Sequence, residues 1–194
     1  MTGKTHMAIG MTIGLSLSFG QPLEHQLTLI VASTIGALAP DLDHPKGELN
    51  QKLLLVNNNF FRALFYLTLG SIFIYLYSQK SNILFMLLGM FSFTLAISTH
   101  RSFTHSIVGL IILAAIIKLI TIQYSLSSIH YSFTIGYASH LVSDFFTRKG
   151  IRLFYPIKAN VSSPLTFKNN GFGEKTVFAL CSLYSLCLFF MNLV

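Results

Sequence analysis

The sequence predicts an all-α fold, a polytopic membrane bundle of about five to seven hydrophobic helices forming one domain over residues 1–194. Two observations predict it. Hydrophobic residues make up 53% of the chain and charged residues 10%, whereas soluble domains carry about 25% charged residues. Apolar runs near or above the roughly 18 residues needed to cross a hydrocarbon core as helix recur along the whole sequence.

Each element has its own signal. The first apolar segment, 7–19, follows "MTGKTH" and lacks a small-x-small cleavage site followed by soluble sequence, so it reads as a retained helix. The second, 27–39, is stopped by "APDLDHP", whose flanking prolines end the helix and stiffen the turn. Both are short for spanning and also fit a half-inserted hairpin. Segments 60–78, 83–98, 106–122, 129–146 and 175–193 are read as long enough to span. The longest polar connections are 40–59 and 147–174. Cys181 and Cys187 sit in the last segment, about 240° apart around a helix, and read as small core or lipid-facing residues.

Alternating the segments across the bilayer puts His6, "PDLDH" (40–44), "THRSFTHS" (99–106) and "SHLVSD" (139–144) on one side. The connections "FGQPLEHQ", "QKSN" and "QYSLSS" fall on the other. The net charge is +7, and eleven of the 13 cations lie on the first side, leaving Lys80 and Lys118 on or near the second. Short loops rich in Lys and Arg stay inside, so this bias turns the polar clusters toward the cytoplasm. Six of those cations lie between 148 and 175, where Arg148, Lys149, Arg152 and Lys158 could also hold an anionic group. No basic soluble domain with an aromatic platform is present, which excludes nucleic acid as a partner. Membrane lipids are the expected surroundings.

Five of the seven histidines, His6, His44, His100, His105 and His140, share that face with half of the six acids, Asp41, Asp43 and Asp144. Ionisable groups at membrane helix ends are costly and persist where they bind something. Imidazole and carboxylate without thiolate suit zinc, manganese or iron. His140 and Asp144 are four apart, about 40° around a helix, so they form a two-ligand fork. His100 and His105 would diverge on a straight helix, but a turn between two segments lets both rings face one ion. Thr104 or Ser102 is the expected cap of the following helix, and the Arg101 fork suits a phosphate or carboxylate. Asp41, Asp43 and His44 make a compact acidic knot that could bind hard cations. His25 and His130 fall on the opposite side and read as interfacial bystanders.

Together these clusters describe one or two divalent ions with six to eight protein ligands, an arginine beside them, and Asp43 or Asp144 free to accept a proton where it is not a ligand. The motifs "TH" (5–6), "PDLDHP" (40–45), "HRSFTHS" (100–106) and "GYASHLVSDFFTRKGIRLFYP" (136–156) resemble the YdjM-like family of membrane-bound, metal-dependent hydrolases, described with reference to LexA regulation. Arg148 and Lys149 in "DFFTRKG" depart from the smaller residues or proline expected there. The resemblance implies a bacterial inner membrane protein whose metal centre faces the cytoplasm. It carries His6, Asp41, Asp43, His44, His100, Arg101, His105, His140 and Asp144 over as site residues.

The function expected from this reading is hydrolysis of a phosphoester or related bond in a lipid or amphiphilic anionic substrate at the cytoplasmic face. A metal-bound structural or regulatory protein without turnover would use the same ligands. A metal or proton transporter would need polar groups at mid-bilayer, and the middles of the long segments are nearly free of them.

Overall fold

The computed structural model describes residues 1–126 and 128–193. Ser127, in the connection "QYSLSS", and Val194 lie outside the described residues. The helices follow in order as α1 (Gly3–Leu17), α2 (Leu23–Leu38), α3 (Glu48–Leu53), α4 (Asn59–Lys80), α5 (Ile83–Ile97), α6 (Ile107–Gln123), α7 (Ile129–Phe145) and α8 (Phe172–Leu193). Tight 3₁₀ turns cover Ala39–Asp43 and Phe103–His105. Among the described residues there is no strand, only isolated bridges pairing Thr147 with Phe167 and Ile151 with Val161.

Seven of these helices coincide with the apolar segments of the sequence; α3, six residues long, was hidden inside the connection 40–59. Helix length grades the five segments expected to span: α6 and α7 have 17 residues each and α5 has 15. Only α4 and α8, at 22 residues each, combine span length with span hydropathy among the described residues. The 15 residues of α5 rise about 22 Å, short of the ~30 Å hydrocarbon core. Polar residues set that length: Asn82 caps α5 by accepting from Leu84 N at 3.0 Å, and Ser98 ends it. Asn58 caps α4 in the same way, accepting from Phe61 N at 2.8 Å. The cap of α6 is Ser106, which accepts from Gly109 N at 3.1 Å, in place of the expected Thr104 or Ser102.

Helices α1, α2 and α7 pack together, α4 pairs with α5, and α8 lies against α1. Small residues govern the α2–α7 contact. A methyl group at Gly36 would run into the Phe133 carbonyl, and one at Gly136 into the Ser33 carbonyl, so the two backbones touch through reciprocal glycines. Close approach through small residues is how membrane helices gain packing and cross-helix hydrogen bonds. One such bond follows directly: the Ala37 carbonyl, next to Gly36, is 2.7 Å from Nδ1 of His140, one turn beyond Gly136. Ser132 Oγ donates to the Leu29 carbonyl at 2.6 Å and closes the other end of the seam.

The predicted consequence is that Gly136→Ala separates α2 from α7, with an overpacking cost of about 1–3 kcal/mol. A thermal melt in detergent micelles should show a lowered Tm, and the Ala37–His140 bond should lengthen. An unchanged melting curve would contradict the reciprocal-glycine seam.

Candidate metal centre

The centre is built from chain reversals at one end of the bundle: the start of α1, the end of α2, the α5–α6 turn and the end of α7. Pro40 closes α2 into the Ala39–Asp43 turn, which carries Asp43 inward to 1% exposure. There its carboxylate collects four donors from one hairpin. Oδ1 accepts from His100 Nδ1 at 2.9 Å, and Oδ2 accepts from Arg101 N at 3.0 Å and Thr104 Oγ1 at 2.7 Å. His105 Nδ1 lies 3.3 Å from the same Oδ2. Arg101 holds a φ of 64°, left-handed backbone that costs a non-glycine residue about 1–3 kcal/mol. The bond from its amide to Asp43 helps to offset that cost. Tyr137 OH fixes the same hairpin by donating to the Thr104 carbonyl at 2.5 Å.

With their Nδ1 atoms taken, three imidazoles turn Nε2 toward a common point. His105 Nδ1 faces Asp43, His140 Nδ1 faces the Ala37 carbonyl, and His6 Nδ1 lies 3.1 Å from Ser143 Oγ. The Nε2 atoms of His105 and His140 are 3.2 Å apart, and the His6 ring stacks on His140 with centroids 3.7 Å apart. Asp41 Oδ1 lies 3.6 Å from His105 Nε2 and 3.9 Å from His140 Nε2. Asp144 Oδ2 lies 3.8 and 3.9 Å from the same two atoms, and its Oδ1 is 3.3 Å from His6 Nε2. His6, His105 and His140 are at most 1% exposed. Two ligand groups result: His6, His140 and Asp144 in one, Asp41, His100 and His105 in the other, each with donor atoms within 4.8 Å of one another.

These residues fit a divalent ion by their own chemistry. His6 Nε2 is buried and, although 3.3 Å from Asp144 Oδ1, makes no well-formed hydrogen bond, so a metal between the two would satisfy both. Partners at Nδ1 fix the tautomer that leaves Nε2 free to ligate. Burial alone would raise the carboxyls of Asp41 and Asp43, yet the imidazoles of His140 and His105 hold both below the usual carboxylate range. Burial alone would lower the His105 imidazolium, but Asp43 and Asp41 push it up to about 10.

Arg101 and His44 sit at the edge. The Arg101 guanidinium donates from Nη1 to the Gly150 carbonyl at 2.7 Å and to Thr147 Oγ1 at 3.2 Å, and its Nη2 pairs with Asp144 Oδ2 at 3.1 Å. It therefore braces Asp144 against the loop after α7. His44 stands over His100 with ring centroids 4.4 Å apart, and its Nδ1 accepts from Lys46 N at 3.2 Å. Burial and the neighbouring His100 lower its pKa. A polar cleft of about 300 Å³, lined by His44, Lys46, His100, Arg101, Lys149 and Asp41 among others, opens onto these residues.

Several supports carried no sequence signal. Asn50 on α3 donates to the Leu42 and His44 carbonyls at 2.9 and 2.8 Å and accepts from Tyr66 OH at 2.7 Å, pinning the acidic turn to α4. Arg62 caps the end of α5, donating to the Leu95 and Ser98 carbonyls at 2.6 and 2.9 Å. Glu174 on α8 is 2% exposed and accepts from Thr2 N at 2.6 Å and Thr5 Oγ1 at 2.9 Å, fixing the turn that bears His6. The Met1 amine pairs with Asp144.

Comparison with known proteins gives a consistent picture. The family model described as "YdjM inner membrane protein" matches residues 1–194. A Bacillus subtilis (strain 168) relative, named as the uncharacterized protein YvsG, is 26% identical over 191 residues, covering 98% of this chain and 96% of that protein. No solved structure matches. With the match running over all its residues, the chain belongs to the YdjM inner membrane protein family.

Proposed function

We propose that the chain is a metal-dependent hydrolase of the inner membrane, cleaving a phosphoester or related bond in a lipid-borne or amphiphilic anionic substrate at the cytoplasmic face. The observation that carries this reading is the convergence of three buried imidazole Nε2 atoms and two carboxylates beneath a cationic cleft. The cytoplasmic orientation rests on the charge bias of eleven cations against two.

His6, His140 and Asp144 would hold one ion, and Asp41, His100 and His105 a second. A bound zinc, manganese or iron ion would polarise a phosphoryl oxygen and bring the pKa of water toward about 7. Asp43 orients His100 and His105 for that task, and Arg101 does the same for Asp144. Lys46 and Lys149 line the cleft where an anionic group would enter. Their position at the ends of the helices suits a substrate whose polar part stays at headgroup level.

Burial of the three histidines also favours a second reading, a metal-bound structural or regulatory protein without turnover. Transport is weaker, because the middles of α4, α5 and α8 carry no Asp, Glu, Lys, Arg or His and the His and Asp cluster lies at one end of the bundle.

Purified chain in nanodiscs, supplied with manganese or zinc, is expected to release phosphate from phosphatidic acid, a prenyl phosphate or a generic phosphoester. Asp144→Ala should abolish that release. Metal retained with no hydrolysis of any of the three would replace the hydrolase reading with the structural one. Metal analysis gives a separate result: His140→Ala and His105→Ala should lose the ion, and Asp43→Asn should weaken binding roughly 10- to 100-fold through its two histidines. Native metal content in all three variants would remove the shared centre.

Because His105 must give up a proton to ligate, metal affinity should rise with pH, by about tenfold per unit through the neutral range. Calorimetry in buffers of different ionisation enthalpy should detect about one proton released on binding of the ion that His105 holds. In the metal-free protein the raised His105 pKa contributes stability that is fully present below about 6.5 and is lost as pH rises through about 10.

A further inference from the structure

We propose that the chain also binds an anionic phospholipid at a site separate from the metal centre, with Arg152 holding the phosphate and the α5–α6 groove holding an acyl chain. This does not depend on the hydrolase reading. The turn that supplies His100 and Arg101 to the metal cleft turns Ser98, Thr99, Ser102 and Phe103 toward another cavity, of about 280 Å³, completed by Arg152 and Tyr155. Arg152 is the single charged residue lining it, and it makes no ion pair among the described residues. Among the described residues no carboxylate lines this cavity.

The backbone around Arg152 is fixed. Ile151, fully buried, exchanges hydrogen bonds with Val161 at 3.0 and 2.8 Å. The Leu153 carbonyl accepts from Ile107 N at 3.1 Å, which ties the loop to the first turn of α6, and Tyr155 N closes a turn on the Arg152 carbonyl at 3.1 Å. The Tyr155 ring meets Phe103 edge-on, with centroids 5.9 Å apart. An arginine and a tyrosine are thus held at the ends of apolar helices, where both residue types anchor at membrane interfaces.

The cavity continues into an apolar one. Thr94 and Phe103 line both it and a groove of about 390 Å³ between α5 and α6, walled by Leu87, Met90, Ile112, Ala115 and Leu119. From Ser98 back to Leu87, α5 rises about 16 Å, close to half of the ~30 Å hydrocarbon core. A cationic pocket above an apolar groove one leaflet deep matches the shape of a phospholipid. Free phosphate would leave the groove empty, and a neutral lipid would leave Arg152 without a counter-charge.

The test is native mass spectrometry of the full chain in detergent, titrated with dioleoyl phosphatidylglycerol and, separately, dioleoyl phosphatidylcholine. The native chain is expected to retain the anionic lipid roughly fivefold more than the zwitterionic one, the factor for one arginine at a membrane surface. Arg152→Gln should erase that preference, and Ala115→Phe, at an exposed groove position, should weaken retention of both lipids. Metal content should stay native in both variants, and millimolar inorganic phosphate should not displace the lipid. Equal retention of the two lipids by the native chain would overturn the proposal without using any variant. Persistence of the preference in Arg152→Gln, unchanged retention in Ala115→Phe, or displacement by phosphate would overturn it as well.

Discussion

The Asp43 carboxylate is buried at the end of the bundle that carries the metal centre, and the α5–α6 hairpin is arranged around what it accepts. Ring nitrogens of His100 and His105, the Arg101 amide and the Thr104 hydroxyl all converge on its two oxygens. Removing one partner of a buried, hydrogen-bonded charge leaves the others unsatisfied, which costs far more than the net worth of any single bond. The hairpin between α5 and α6 takes its shape around this group, including the left-handed backbone at Arg101. That shape aims His105 Nε2 at His140, Asp41 and Asp144.

A second constraint acts from the opposite wall. His140 can reach the Ala37 carbonyl because glycines on α2 and α7 let the two backbones touch. The hydrogen bond selects the His140 tautomer, so a packing choice made with the smallest side chains becomes a choice about which nitrogen is available to an ion. Arg101 then links the two walls, since its amide holds Asp43 and its guanidinium holds Asp144. Membership of the YdjM inner membrane family fits a centre built this way, at the ends of apolar helices.

Much of this arrangement was legible in the sequence. Hydropathy located seven of the eight helices, and alternating them across a bilayer was enough to bring His6, Asp41, His105 and His140 to one place. Spacing of four put His140 and Asp144 on one face. What sequence could not supply was the division of labour inside the cluster. Asp41 and Asp43 look equivalent in "PDLDH", yet only the folded turn shows Asp43 directed at ring Nδ1 atoms and Asp41 at Nε2 atoms. Asn50, Arg62 and Glu174 had no signal, because each works through long-range bonds to backbone or hydroxyl groups. Helix bounds were legible where a polar cap such as Asn82 stands at the edge of the apolar run, 83–98 in the sequence against Ile83–Ile97 in the helix.

The Glu174 clamp bears on the order in which the centre can form. By Asp144 every candidate ligand has been synthesised, but the residues that steady His6 are fastened by a side chain 30 positions further on, across a separation of 169 residues from Thr5. Contacts so remote in sequence close late, since chain entropy must be surrendered before they return anything. A nascent chain lacking α8 would carry the whole ligand set, with His6 held by Ser143 and His140, so the clamp on the Thr2–Thr5 turn beside it closes only when the final helix described here arrives.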